Sequence, residues 1–243
     1  MPSFWRVLNQ VIDDADILVE VLDARDISGT RNKELEDKAA KRGKRLIFAI
    51  NKCDLVDRER LDKEKKSLEN SVYVSATERL GTAKLREHIL KNSGSNRQVK
   101  VGIVGYPNTG KSSIINALVG REKAKASSES GFTKGMKYVK VSSRILLIDS
   151  PGVIPYREKD EKKHGSTGSV DHSKVKDAEA VVMRLLEEHK QTLLDFYSCD
   201  DGDIDHFLEH VASMYNFVKK GAEPNLDRAA RKVIRDYQSG KIK

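Results

Sequence analysis

The sequence predicts an α/β domain with a mostly parallel sheet and helices on both faces, followed by a small all-helical domain. Short β-branched runs alternate with helical stretches as far as residue 150, which is typical of a parallel sheet whose strands are joined by crossover helices. From Val175 onward, apolar residues recur at a spacing near 3.6 residues, which indicates helices only. We therefore expect an α/β domain over 1–155, a linker over 156–174 and a helical domain over 175–243.

The individual elements follow from the same patterns. The buried strands are predicted at Ile17–Leu22, Arg45–Ile50, Val72–Val74, Val99–Val104 and Ile145–Ile148. Helices are predicted at Glu34–Arg42, Arg58–Asn70, Thr82–Leu90 and Lys111–Val119, after a short amphipathic helix at the N-terminus. In the helical domain, Asp203 is expected to cap one helix. The last helix should bury one face, formed by Leu226, Ala229, Val233 and Tyr237.

Composition narrows the class of protein. No apolar run approaches the roughly 20 residues that cross a bilayer, and the first residues lack the pattern of a signal peptide. Two cysteines provide no disulfide framework, so we expect a reducing, cytoplasmic setting. The net charge of +8 favours an anionic partner. The excess lies before Pro155, where 29 Lys and Arg face 20 Asp and Glu, against 16 and 17 in the remainder.

A phosphate-binding loop is the strongest motif. Residues 105–112, GYPNTGKS, match GxxxxGK[ST] between a predicted strand and a predicted helix, which is the context that the motif requires. Backbone N–H groups of such a loop and of the helix N-terminus bind phosphates. We expect Lys111 to reach the β- and γ-phosphates and Ser112 to ligate Mg²⁺.

Three downstream residues are expected to complete the phosphate and metal site. In LLIDSPGV, Asp149 ends an apolar strand and would hold Mg²⁺ directly or through water. The amide of Gly152 would meet the γ-phosphate. Thr133, in the segment GFTKG, would close over the metal in the triphosphate state.

Two further segments predict recognition of guanine. NKCD (51–54) follows the strand RLIFAI, and Asp54 can accept hydrogen bonds from N1–H and the exocyclic amine of guanine. Adenine lacks this pair of donors, so such a site discriminates strongly. Lys52 would lie over the base, and Asn51 would tie this segment to the phosphate loop. In SAT (75–77), the Ala76 amide would approach guanine O6. The predicted nucleotide-binding residues are Asn51, Lys52, Asp54, Ser75, Ala76, Thr77, Asn108, Thr109, Gly110, Lys111, Ser112, Ser113, Thr133, Asp149 and Gly152, with Lys111, Thr133 and Gly152 expected in catalysis.

The order of these motifs is unusual. In Ras-like chains the phosphate loop comes first, whereas here NKCD and SAT precede it. This order predicts a circularly permuted Ras-like GTPase domain, which is possible because the ends of compact domains often lie close together at the surface. KNSGSNRQ (91–98) would join the former ends.

The chain resembles the circularly permuted GTPases of the YlqF/YawG family, which assist ribosome assembly. The resemblance rests on the permuted order, LDARD (22–26), PNTGKSSIINAL (107–118) and GAEPNLDRAARKVIRDYQSGKI (221–242). It implies a GTPase using GTP, GDP and Mg²⁺ and a helical domain that contacts ribosomal RNA. The better-known members act on the large ribosomal subunit. The expected RNA-binding residues are Arg228, Arg231, Lys232 and Arg235, for which a solvated helix face is the alternative.

The sequence also predicts slow intrinsic GTP hydrolysis that K⁺ or a partner would accelerate. Val153 occupies the position where Ras-type enzymes place a Gln that orients water, so intrinsic hydrolysis should be slow. Asn108 resembles the asparagine that ligates K⁺ in similar GTPases, and a K⁺ ion or a partner would then stabilise the transition state. The alternative is that Asn108 only caps the loop.

The roles of two residue pairs remain open. Asp23 and Arg25 in LDARD either act near the nucleotide or a partner, or form a salt-bridge network at a strand end. His206 and His210 lie one helical turn apart, but without a third ligand they do not predict a zinc site. Besides a monomeric switch in ribosome biogenesis without membrane attachment, the sequence is compatible with a switch acting on a protein effector or RNA-modification partner. It is also compatible with a nucleotide-gated scaffold without turnover.

Overall fold

The fold is described from a computed structural model, which covers residues 3–65, 68–94, 97–120, 137–150, 175, 177–219, 221 and 223–242. The chain divides into two compact units, Met1–Glu158 and Lys159–Lys243. The predicted linker 156–174 and the predicted site residues Thr133 and Gly152 lie outside the described residues, as does Val153.

The first unit is built on one six-stranded sheet. Its strands are β1 (Ile17–Asp23), β2 (Arg45–Asn51), β3 (Ser71–Tyr73), β4 (Val99–Val104), β5 (Lys137–Lys140) and β6 (Ile145–Asp149). Their order across the sheet is β3-β2-β1-β4-β6-β5, and every neighbouring pair is parallel except β5 and β6. The mostly parallel sheet is therefore confirmed. The antiparallel edge strand β5 is an addition that the sequence did not predict.

Helices cover both faces of this sheet, as predicted. They are α1 (Ser3–Asp14), α2 (Ile27–Thr30), α3 (Lys33–Lys41), α4 (Arg58–Lys65), α5 (Thr82–Ser93) and α6 (Lys111–Val119). Because side chains alternate along β1, Val19 packs with apolar residues of α5 and α6, whereas Leu18 packs with those of α1 and α3. Leu22 packs with Leu61 of α4. Each such buried aliphatic side chain contributes about 1.5–3 kcal/mol to folding.

One predicted helix is too long. The helix expected over Arg58–Asn70 is described only to Lys65, and Asn70 has a left-handed φ of +62°. The Asn70 carbonyl accepts a hydrogen bond from the amide of Phe48 in β2 at 3.1 Å. This backbone already belongs to the pairing of β2 with β3, so it cannot continue the helix.

The second unit contains three described helices, α7 (Ala178–Tyr197), α8 (Ile204–Met214) and α9 (Leu226–Gln238). Asp203 caps α8, as predicted, by accepting from the amides of Asp205 at 3.1 Å and His206 at 3.2 Å. The predicted buried face of α9 is also present, with Leu226 at its partly buried end. Among the described helices, none combines the length and the hydropathy that crossing a membrane requires.

Candidate nucleotide-binding site

The predicted nucleotide-binding segments meet at one edge of the sheet. Parallel strands carry their carboxyl ends on the same edge, and the register places Asp23 of β1 opposite Asn51 of β2 and Ile103 of β4 opposite Asp149 of β6. The strand order reverses between β1 and β4, where open α/β sheets typically bind ligands. The phosphate loop follows β4 at this position. The permuted chain order therefore still brings the segments together in space.

The phosphate loop has the tight conformation that its glycines permit. Gly105 has a φ of +132°, and a Cβ there would lie 2.7 Å from the carbonyl oxygen of Val21. Gly110, just before α6, has a φ of +95°. The Thr109 hydroxyl donates to the Tyr106 carbonyl at 3.0 Å. Only glycine allows the backbone to pass this close to β1 and then turn into the helix.

Lys111 folds back over this loop. Its ammonium group donates a hydrogen bond to the Tyr106 carbonyl, and the residue is buried. Burial lowers the pKa of Lys111 to about 8, although the nearby charge of Asp149 opposes this shift. A phosphate in the loop would supply the negative charge that favours the ammonium form.

Asn51 joins the phosphate loop to the second base-recognition segment, SAT. Its Nδ2 donates to the carbonyl of Thr109 at 2.9 Å, so the predicted tie between NKCD and the phosphate loop is present. Its Oδ1 accepts from the amide of Ala76 at 3.2 Å. This second bond was not predicted. It engages the amide that was expected to approach guanine O6, and that approach stays a prediction.

The other predicted base-recognition residues of NKCD directly follow Asn51 in the chain. Lys52 has a left-handed φ of +61°, and Asp54 is exposed in the 3-10 turn Cys53–Leu55 that follows it. The carboxylate of Asp54 is thus open to a ligand. The Cys53 amide donates to the carbonyl of Val74 at 3.2 Å, which holds this turn against the end of β3.

The SAT segment is ordered by its own polar groups. The buried Ser75 hydroxyl accepts from the amide of Glu78 at 3.2 Å and lies 3.2 Å from the hydroxyl of Thr77. Ser75 and Leu80 pair across the turn with two backbone hydrogen bonds of 3.0 Å. The turn therefore has a defined shape beside Asn51.

The predicted metal and potassium ligands on described residues lie around the same loop. Ser112 is exposed in the first turn of α6, next to Ser113, which was predicted only to bind the nucleotide, and Asp149 is half-buried at the end of β6. Asn108 is exposed and has a φ of +59°. Hydroxyl and carboxylate oxygens are suitable ligands for Mg²⁺. The backbone amides at the N-terminus of α6 would favour a phosphate bound beside them.

Asp23 and Arg25 form the salt-bridge network that was one of the two alternatives. Arg25 donates to Asp23 through Nε at 3.0 Å and through Nη2 at 2.8 Å. Lys52 adds a third contact, with its Nζ 2.8 Å from Asp23 Oδ2. Burial alone would raise the pKa of Asp23, but the charges and hydrogen bonds of Arg25 and Lys52 hold it well below its usual range. The sequence did not predict the contact with Lys52.

The predicted RNA-binding residues lie on α9 of the helical unit. Arg228 and Arg235 are exposed. Arg231 pairs with Asp227 at 2.8 Å, and Lys232 pairs with Asp236. Their spacing places the four side chains along one side of the helix, so the predicted basic face exists, but two of its charges are shared with carboxylates.

Aromatic rings extend this basic face. The guanidinium of Arg228 lies 4.4 Å from the ring centroid of Phe217, and Lys232 Nζ lies 4.3 Å from that of Tyr215. The two rings are stacked, with centroids 5.6 Å apart and planes at 21°. We call these four side chains the ring–cation cluster. No sequence pattern predicted the place of the two rings, because their position beside α9 depends on the tertiary structure.

Comparisons with known proteins agree with this site. A family model described as "50S ribosome-binding GTPase" matches residues 100–215. An uncharacterized GTP-binding protein of Methanocaldococcus jannaschii is 41% identical over 98% of this chain and 65% of its own length. Nucleolar GTP-binding protein 2 of Saccharomyces cerevisiae is 34% identical over 98% of this chain and 52% of its own length. The chain thus spans about half to two thirds of the length of these curated relatives.

The fold itself is similar to a solved structure. The crystal structure of GNP-bound YlqF from T. maritima has a TM-score of 0.69 and covers 98% of this chain and 94% of its own, at 22% identity. The GDP-bound structure of the same protein has a TM-score of 0.66. At this identity the likeness supports the fold alone.

Proposed function

We propose that this chain is a GTPase of the circularly permuted YlqF type, which binds and hydrolyses GTP as a nucleotide-dependent switch. The observation that carries the proposal is the double contact of Asn51 with Thr109 and Ala76. It joins phosphate-binding and base-binding segments that lie far apart in the sequence. A single ligand with both a phosphate chain and a purine base is the simplest reason for such a connection.

Guanine specificity is assigned to Asp54. Its exposed carboxylate can accept from N1–H and the exocyclic amine of guanine. We expect Asp54→Asn to lose affinity for GDP and to gain affinity for xanthosine diphosphate, because the amide can donate to the carbonyl that replaces the amine. Calorimetric titration with both nucleotides tests this. Equal GDP affinity in the wild type and the variant would refute the assignment.

Phosphate and metal binding are assigned to residues of the loop and of β6. Lys111 would bind the β- and γ-phosphates, while Ser112 and Asp149 would hold Mg²⁺, which supplies charge stabilisation when bound. Thr133 and Gly152 are assigned to the triphosphate state from the sequence. Because Val153 cannot orient water, slow intrinsic turnover is expected.

Potassium is proposed as one source of the missing stimulus. Asn108 is exposed at the turn of the phosphate loop, where its side-chain oxygen could reach a cation beside the phosphates. Turnover should be faster in KCl than in NaCl at equal ionic strength, and Asn108→Ala should remove that difference. Equal rates for the wild type in the two salts would leave a partner as the source.

The proposed partner is a ribosomal particle, bound through RNA. The chain from Tyr215 to Lys243 contains eight Lys and Arg against three Asp and Glu, whereas residues 177–214 contain two against ten. This basic segment carries the ring–cation cluster, and RNA-binding proteins combine phosphate-binding cations with rings on which unpaired bases stack. The large subunit is proposed from the family resemblance, and the cytoplasm as the setting from the absence of a disulfide framework.

Co-sedimentation with ribosomal subunits tests this partner. We expect the protein to migrate with one subunit in the presence of a non-hydrolysable GTP analogue and to dissociate with GDP. Tyr215→Ala with Arg228→Ala should weaken the association, whereas Met183→Ala, an exposed apolar change on α7, should not. Binding to a protein without an RNA footprint would instead favour the effector alternative.

A further inference from the structure

Asp23 is held in an unusually complete set of contacts at the end of β1. Its side chain is 3% exposed. It accepts hydrogen bonds from Nε and Nη2 of Arg25 and from the Arg25 amide at 3.1 Å, and it also contacts the ammonium group of Lys52 at 2.8 Å. A strand-end salt bridge would need only one of these partners. The contact with Lys52 connects the network to the base-recognition segment.

The backbone on both sides of this contact is also ordered. Asp23 lies opposite Asn51 in the register of β1 and β2, and the Ala24 amide donates to the Asn51 carbonyl at 2.8 Å. The next residue is Lys52, whose left-handed φ of +61° turns the chain out of β2. The position of Asp23 relative to Lys52 is therefore set by the strand pairing as well as by the salt bridge.

We propose that Asp23 is a positioning residue for guanine recognition, which holds the Lys52 ammonium so that the aliphatic stem is already extended where the base will lie. The inference rests on the proposed function, because it assumes that Lys52 covers a guanine. It adds a residue to that site that does not itself touch the nucleotide.

The physical benefit is a smaller loss of side-chain freedom on binding. A free lysine side chain loses several rotatable bonds when it is immobilised against a ligand, and this entropy lowers affinity. The contact between Asp23 and the Lys52 ammonium restricts this side chain through residues of the protein alone. Removing that restriction should weaken GDP binding by about tenfold, the order of one immobilised long side chain.

Arg25 fixes the orientation of the Asp23 carboxylate, so that Asp23 can hold the Lys52 ammonium in one place. Two nitrogens of its guanidinium hold both oxygens of Asp23 in one orientation. A bidentate pair of this kind fixes the plane of a carboxylate better than a single contact does. Asp23 therefore presents Oδ2 to Lys52 from a fixed position.

The test is a double-mutant cycle on nucleotide affinity. GDP and inorganic pyrophosphate are titrated calorimetrically into the full chain and into Asp23→Asn, Lys52→Met and the double variant. We expect Asp23→Asn to weaken GDP about tenfold and to leave pyrophosphate unchanged, because only the base contact depends on Lys52. In the Lys52→Met background, Asp23→Asn should have no further effect on GDP.

The matched control is Arg31→Met. Arg31 lies between α2 and α3, and the substitution removes its salt bridge to Glu36 (2.6 Å), a bidentate ion pair outside the contacts of Asp23 described above. It should leave both ligands unaffected. If Asp23→Asn does not fold, Asp23→Glu keeps the charge but displaces the ammonium, and a smaller loss of GDP affinity is expected.

Each outcome decides one point. Unchanged GDP affinity in a folded Asp23 variant, or an equal loss for GDP and pyrophosphate, overturns the positioning role while the proposed function stands. Additive losses in the cycle also overturn it, because they mean that Asp23 acts independently of Lys52. A wild-type chain that binds pyrophosphate but no guanine nucleotide overturns the proposed function, and this inference with it.

Discussion

Asn51→Ala is the change that most directly tests how this site is held together. Asn51 is 3% exposed, and it is the residue through which NKCD, the phosphate loop and the SAT segment are connected by side-chain hydrogen bonds. The substitution removes both bonds at once. It leaves the carbonyl of Thr109 and the amide of Ala76 without this partner.

The magnitude follows from those two bonds. A buried polar group that loses its partner costs about 1–3 kcal/mol. The Thr109 carbonyl is buried and the Ala76 amide is partly buried, so that with some replacement by water the two losses give about 2–4 kcal/mol. If this loss falls on the loop arrangement that binds nucleotide, GDP affinity should fall by about 30- to 1,000-fold.

The assay is GDP affinity by calorimetry, together with urea unfolding of the nucleotide-free chain. Asn51→Asp gives a graded comparison, because it keeps the acceptor for Ala76 but loses the donor to Thr109. Asn92→Ala is the matched control, since Asn92 donates one hydrogen bond to the His88 carbonyl within α5, outside the site. GDP binding as tight in Asn51→Ala as in the wild type would refute the reasoning.

Three further predictions concern a loop glycine, the pH dependence of stability and a hydrogen bond in the helical unit. Gly110→Ala should abolish GDP binding and lower the free energy of unfolding by about 1–3 kcal/mol in thermal unfolding. Gly110 has a φ of +95°, and its new Cβ would lie 2.1 Å from Asn51 Nδ2. A variant that binds GDP like the wild type would contradict this. Burial raises the pKa of Glu20 from 4.5 to about 8, so the folded chain keeps a proton that the unfolded chain releases as the pH rises. Wild-type stability should therefore fall by up to about 1.4 kcal/mol per pH unit from this group between pH 5 and 7.5. Glu20→Gln should lack that fall in urea unfolding, and parallel profiles would refute the shift. Tyr197→Phe should destabilise α7 and α9 by about 1.5–3 kcal/mol in hydrogen exchange, since the hydroxyl donates to the buried carboxylate of Asp236 at 3.0 Å; unchanged protection would show that this bond contributes nothing.

Much of the fold could be predicted because its signals are local. Buried parallel strands leave continuous apolar runs, and five of the six strands are recognisable in this way. β5 (Lys137–Lys140) was missed because it is short, has lysine at both ends and lies at the sheet edge. The end of α4 was misplaced because the pairing of Asn70 with β2 depends on a distant segment.

The sequence predicted which motifs form the candidate site, but not the side-chain contacts between them. The phosphate loop and NKCD are specific because phosphate and guanine accept few arrangements of residues. The contacts of Asn51 with Ala76 and of Asp23 with Lys52 have no motif, since each joins a residue at the end of one strand to a residue in the segment that follows another strand. The ion pairs of Arg231 and Lys232 were readable in principle, because their acidic partners lie four residues away.

The sequence by itself determined the fold class, the nucleotide motifs and their permuted order, because these depend on periodicity and on short runs of fixed spacing. Only the tertiary structure decided that Asn51, which was expected to tie NKCD to the phosphate loop, also bonds to the SAT segment, and that Asp23 contacts Lys52. The physical reason is the parallel sheet, which brings the carboxyl ends of β1, β2 and β4 to one edge although up to 80 residues separate them in the chain. Contacts across that edge depend on strand register, and register is set by packing that no local pattern records.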